Sequence, residues 1–192
     1  MSQLIKQILA VLIGLGMIIL IIVLIVRGFS STGNQSETTK AVDLTAYATT
    51  TSTASLTVDG PINAEVDHRT TKIFVRSSDV TVDVIQGYNG NVIEHATFPN
   101  TANSYDIFLR ALQGQGFTQG NTDKELADER GACPSALRYI YALNDGTESV
   151  LRFWSTSCSS SQGTFEGNAS AVQNLFRVQV PNAARSKLLQ NM

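Results

Sequence analysis

The chain has 192 residues, with 14 Lys and Arg against 16 Asp and Glu, 43% hydrophobic residues and only 16% charged ones. No charge lies between Lys6 and Arg27, and the residues after Arg27 hold all 16 acids but 12 of the bases, a net charge of −4. This balance excludes a basic nucleic-acid footprint, and the composition excludes collagen, disorder throughout, a disulfide-dense miniprotein and a multi-span transporter.

Residues 1–6 form a short polar head. Gln7 to Val26 is then a run of 20 uncharged residues dominated by Ile, Leu and Val, which as a helix spans about 30 Å, the hydrocarbon thickness of a bilayer. The expectation is a single uncleaved transmembrane helix over residues 7–26. A cleaved signal peptide has a shorter apolar core and a small-x-small cleavage site, which Arg27-Gly28-Phe29-Ser30 does not supply. Lys6 and Arg27 leave the flanking positive charge nearly balanced. The small head is placed in the cytoplasm and the bulk of the chain outside, as a single-pass protein of the cell membrane with an extracytoplasmic C-terminal domain.

Residues 27–57 read as a stalk. Ser or Thr occupies 14 of the 28 positions from Ser30 to Thr57, and a segment so poor in large apolar groups cannot offset its ordering entropy, so a hydrated tether is expected. Asn34-Gln35-Ser36 and Asn168-Ala169-Ser170 match the glycosylation triplet.

Residues 58–192 read as an α+β domain, an antiparallel sheet made of a meander and a hairpin, packed with two amphipathic helices. Val80, Val82 and Val84 alternate with Asp79, Thr81 and Asp83, the period of a half-buried strand. Ile73, Phe74 and Val75 precede it, and Asn89-Gly90 supplies a type I′ turn signal before Asn91 to Phe98, giving a meander over about 70–98. Tyr105, Phe108, Leu109 and Leu112 recur at helical spacing, with Asn103 or Ser104 as cap and Gly114 or Gly116 as stop. The acidic stretch 121–130 reads as a short solvated helix or loop without the ligand spacing of a calcium site. Asn168 precedes a second amphipathic helix through Val172, Leu175 and Phe176, ending before Pro181, and residues 182–192 add a short terminal helix or fray.

Leu137 to Asn144 and Thr147 to Thr156 form the hairpin, with Asp145-Gly146 as its turn. Pairing Asn144 with Thr147 gives partners whose numbers add to 291, as those of Cys133 and Cys158 do. The two cysteines are therefore expected to form a disulfide, with a Cα separation of about 4.5 Å if the ladder runs unbroken.

Candidate chemistry is sparse. Gly-x-Ser-x-Gly and phosphate-cradling loops do not occur, two cysteines and two histidines give no zinc motif, and neither a catalytic set, a cofactor site nor a metal site is assigned. Asp67 beside His68 is a carboxylate-histidine pair that could serve an envelope hydrolase, with Glu65 and Asp67 on one face of an exposed strand as the plainer reading. His95 after Glu94 has the same status. Tyr139, Tyr141 and Trp154 are the candidate lining of a ligand groove, although aromatics on neighbouring strands also pack as core pairs.

Tyr105-Asp106-Ile107-Phe108-Leu109, Gly116-Phe117, Arg130-Gly131-Ala132-Cys133-Pro134 and Phe153-Trp154-Ser155-Thr156-Ser157-Cys158 resemble single-span exported proteins of ultrasmall, reduced-genome bacteria, a group with no assigned activity. The resemblance implies topology and setting and transfers no functional residue. The layout is also distantly similar to type IV pilins, but Gly28-Phe29 follows the apolar run here, where a pilin's processing site precedes it. The expected function is a non-enzymatic surface module that is anchored in the bilayer through residues 7–26 and binds an extracytoplasmic protein or glycan. A minor-pilin-like filament subunit and an envelope hydrolase are the alternatives.

Overall fold

Ala54, Leu56 and Val58 alternate with Thr53, Ser55 and Thr57, and this period-two pattern makes Ser52–Asp59 the strand β1 rather than tether. In the computed structural model, which describes residues 42–48, 51–158 and 163–190, β1 lies inside a six-stranded sheet. The other strands are β2 (Arg69–Val75), β3 (Asp79–Gln86), β4 (Asn91–Pro99), β5 (Arg138–Asp145) and β6 (Glu148–Thr156). Their order is β4-β3-β2-β1-β5-β6, and every neighbouring pair is antiparallel.

The expected α+β class, the meander and the hairpin are all present, and β1 joins them by pairing β2 on one side and β5 on the other. The stalk boundary at residue 57 therefore needs correction. Val42 begins the folded unit, and a short 3-10 helix, Leu44–Tyr47, precedes β1. Leu44 is wholly buried, its amide donates to Gln113 Oε1 at 2.9 Å, and the Ser52 hydroxyl is 2.8 Å from that of Tyr105. Composition averaged over this stretch hid the alternation, because Thr is at home in a strand and only every second side chain must be apolar. The expected membrane helix at residues 7–26 lies outside the described residues. Among those described, no helix is long and apolar enough to cross a membrane.

Three helices cover one face: α1 (Ala102–Gly114) and α2 (Ala169–Gln179), the two amphipathic helices expected, and α3 (Asn182–Leu188), which takes the helical of the two outcomes left open for residues 182–192. Thr101, not Asn103 or Ser104, caps α1 by accepting from the Ser104 amide, and Asn168 caps α2 by accepting from the Ala171 amide. The register lines up Ala96, Val82, Ile73, Leu56, Tyr141 and Phe153 in one cross-strand row, and Phe98, Val80, Val75, Ala54, Leu143 and Leu151 in the next. Against these rows pack Tyr105, Phe108, Leu109 and Leu112 of α1, Val172 and Phe176 of α2 and Leu188 of α3. Phe108 meets Phe176 edge-on at 5.1 Å, one of the favoured aromatic geometries.

Both expected turns shift. Strands β3 and β4 are joined through residues 87–90 with Gly87 and Gly90 at positive φ, so Asn89-Gly90 is part of a longer loop. In the hairpin Asp145 pairs with Glu148, leaving Gly146 (φ 57) and Thr147 at the tip. Cys133 is the only non-glycine residue at positive φ among those described, so Thr147 does not adopt the left-handed form a type I′ turn needs. A register shift after Leu143 then makes partner numbers add to 294 from Leu143 down to Arg138. Cys133 and Cys158 do form a disulfide, but beyond the ladder and with Cα atoms 6.3 Å apart rather than about 4.5 Å. A turn in which the Ala136 amide donates to Cys133 O brings Cys133 back over the end of β5. Closing a separation of 25 residues stabilises the fold by about 3.5 kcal/mol on the chain-entropy model.

Candidate functional site

Side chains on the odd positions of β1 point away from the helices, and the last of them, Asp59, lies in a row between Thr70 of β2 and Arg138 of β5. Arg138 is buried, at 3% exposure. Its Nε and Nη2 both donate to Asp59 Oδ2, Nη2 also donates to Gly60 O at 2.9 Å, and Nη1 reaches Ala132 O. The other carboxylate oxygen accepts from Thr70 Oγ1 at 2.8 Å and faces His68 Nε2 at 3.1 Å. A buried guanidinium is tolerable only when its donors are satisfied, and this fork meets that condition.

His68 ends the β1–β2 connection and is itself 2% exposed. Its Nδ1 lies 3.0 Å from Pro61 O, and the Tyr88 ring stacks on it with centroids 4.2 Å apart and planes inclined by 16°. The Tyr88 hydroxyl donates to Asn63 O and accepts from the Asn63 amide, pinning the same connection from outside. Both imidazole nitrogens are thus engaged and one ring face is covered. The residue pairs with Asp59 across nine positions, not with its neighbour Asp67. Residues 65–67 form a turn, so the exposed strand expected there is absent. The arrangement can lock a loop to a sheet, and it leaves no ring nitrogen open for proton transfer to a substrate.

Among the described residues, the three helices leave the remainder of this face open from β4 to β5, although Ser55 and Thr81 within it are buried. His95, Asp83, Lys72, Thr57 and Ile140 form one cross-strand row, and Thr97, Thr81, Phe74, Ser55 and Ala142 the next. His95 Nδ1 is 2.6 Å from Asp83 Oδ1, and Thr97 Oγ1 is 3.2 Å from His95 Nε2. At the end of the sheet Arg76 donates to Asp79 at 2.8 Å, and its guanidinium carbon stands 5.5 Å from the centre of the Phe74 ring. Asp79 is held below the usual carboxylate range chiefly by the Ser78 hydroxyl; desolvation is the next largest effect and opposes it, while Thr81 and Arg76 add to the lowering.

The expected aromatic groove does not assemble. Tyr139 lines a hollow of about 130 Å³ with Ser170, Gln173, Asn174 and Arg177. Tyr141 is wholly buried in the helix-side core, and burial pushes its phenol above the ordinary value while hydrogen bonds from Ser155 and Gln173 oppose this. Trp154 pairs with Ile140 and so projects from the opposite face. There its Nε1 donates to Leu126 O at 2.7 Å, under the 121–130 segment. Adjacent strand positions alternate faces, and Trp154 differs in parity from its cross-strand neighbours Tyr139 and Tyr141.

The acidic stretch uses its carboxylates locally. Asp123 accepts from the Glu125 amide, Glu129 pairs with Arg152 at 2.6 Å, and Arg130 holds Asp128 down to about 2 through its side chain and its amide. No group of three or more His, Cys, Asp or Glu suited to a metal ion occurs among the described residues. Sequence reasoning missed Asp59, Thr70, Asp83 and Arg138 as partners. The signal was available only as matching strand parity, and the register is needed to use it.

No protein-family model and no curated protein matches this chain.

Proposed function

We propose that this chain is a non-enzymatic surface module, anchored in the cell membrane through residues 7–26, whose extracytoplasmic domain binds another protein or a glycan through its open sheet face. The observation that carries this reading is the division of labour between the two faces. Three helices bury one, while the other leaves Lys72, Phe74 and Asp83 half-buried and His95 and Thr97 exposed over neighbouring strands. Such a surface offers donors, acceptors and an aromatic group in a flat array, which suits a macromolecular partner better than a small substrate that needs enclosure. The single buried histidine is consumed in holding the sheet together. The disulfide fits an oxidising compartment, and the resemblance to exported single-span proteins of ultrasmall bacteria supports the same setting.

The test has two parts. A tag at Met192 should be labelled on intact cells, and labelling only after lysis would refute the topology. Full-length protein should bind a component of an envelope protein and glycan panel, with affinity falling at least tenfold in Lys72→Glu and Asp83→Lys while the melting temperature stays within about 2 °C. Unchanged binding in both variants would remove the open face from the function.

A further inference from the structure

The two edges of the sheet differ. At β6 the chain returns: Gly163 bridges Ser155, and the amides of Thr164 and Phe165 both donate to Trp154 O. At the other edge, among the described residues, β4 pairs with β3 alone. The Asn100 amide donates to Ser78 O, which sets the phase of the β3–β4 ladder. Residues 94, 96 and 98 turn their backbone groups inward to β3, and His95 and Thr97 turn theirs outward. Those outward groups make no hydrogen bond among the described residues. Pro99 falls on an outward position, where its missing N–H costs the β3 ladder nothing. The register shift beside Glu94 bounds the free stretch at its other end.

Next to this edge, on the helix side, lies a groove of about 460 Å³ whose lining includes Ala96 and Phe98 of β4 and Ala184 and Leu188 by α3. Glu94 also lines it. Its Oε2 is buried and accepts no hydrogen bond among the described residues; Lys187 Nζ forms an ion pair with it at 3.4 Å, the one charge partner it has there. Free backbone groups, an apolar groove and a carboxylate whose buried Oε2 accepts no hydrogen bond thus meet on five residues of one strand.

The geometry points to β4 as the docking edge for an extended peptide that adds a seventh strand, with a basic side chain opposite Glu94 and apolar side chains opposite Ala96 and Phe98. Glu94, Ala96 and Phe98 bond inward, so toward an added strand they occupy the non-hydrogen-bonded positions, where opposing side chains approach most closely. An antiparallel peptide would read, from its amino end, apolar-x-apolar-x-Lys or Arg. The backbone of His95 and Thr97 supplies the affinity, and Glu94 selects the charge. This inference goes beyond the open-face reading and does not depend on it.

The experiment uses isotope-labelled full-length protein in detergent micelles and the blocked synthetic peptide Thr-Val-Thr-Val-Thr-Arg-Thr. Expected are saturable amide shifts confined to residues 93–98 and 183–188, affinity at least tenfold weaker when Arg in the peptide is replaced by Glu, and the reverse preference in Glu94→Lys protein. The spectrum of the variant reports directly that it is folded. Absence of saturable shifts at millimolar peptide would overturn the proposal, as would a peptide-charge preference that Glu94→Lys leaves unchanged. Concentration-dependent broadening of the same β4 amides without peptide would overturn it in favour of pairing with a second copy.

Discussion

Replacing Arg138 with Met isolates the knot at the end of the sheet. The substitution keeps most of the side-chain volume but removes four donors from Asp59, Gly60 O and Ala132 O. Breaking a buried ion pair by removing one partner costs about 3–5 kcal/mol. Asp59 retains 26% side-chain exposure and its contacts to Thr70 and His68, so the lower end applies, about 3 kcal/mol. For a domain of this size each kcal/mol shifts the melting temperature by about 2–4 °C, giving a loss of about 6–12 °C. Trp154 is the only tryptophan and is 3% exposed, so its emission reports unfolding of the domain alone. The double variant Asp59→Asn with Arg138→Met should lose at least 1 kcal/mol less than the two single losses combined, because the second change removes a carboxylate already stranded. An Arg138→Met melt within about 2 °C of the parent would refute the reasoning, as would single losses that simply add in the double variant.

Two further outcomes follow from the fold and from the charges. A fragment of residues 42–192 should melt cooperatively by Trp154 emission, whereas residues 58–192, the domain drawn from composition, should show no cooperative transition because the central strand is gone. A cooperative melt of the shorter fragment would show that β1 is dispensable. Carboxyl carbon shifts followed by NMR from pH 6 to pH 1.5 should place the Asp128 midpoint at about 2. Its folded value is depressed, so what it contributes to stability is complete above the unfolded value of about 3.9 and is lost as pH falls through about 2. A midpoint near 3.9 would show that Arg130 does not hold it.

Much of the fold was legible because strands and helices announce themselves locally. Val80, Val82 and Val84 on β3, and Tyr105, Phe108, Leu109 and Leu112 on α1, stand where period and spacing placed them. The pairing of Cys133 with Cys158 was also legible, although for a partly wrong reason: the assumed register is three short of the ladder that forms, and a local turn makes up the difference. β1 was missed because Ser and Thr counts were averaged over a stretch whose alternation carried the message. The candidate groove failed on strand parity, since Tyr139 and Tyr141 share a face that Trp154 does not.

The sequence by itself determined the element types, the two-faced character of the sheet, the cysteine pair and the contrast between an uncharged leader and an acidic remainder. All of these depend on side-chain chemistry repeated at short intervals. Only the tertiary structure decided that Asp59 meets His68 and Arg138, that β1 joins the meander to the hairpin, and that β4 has one edge unpaired among the described residues. Those outcomes depend on register between strands far apart in the chain, and a shift of one residue would send every side chain to the other face.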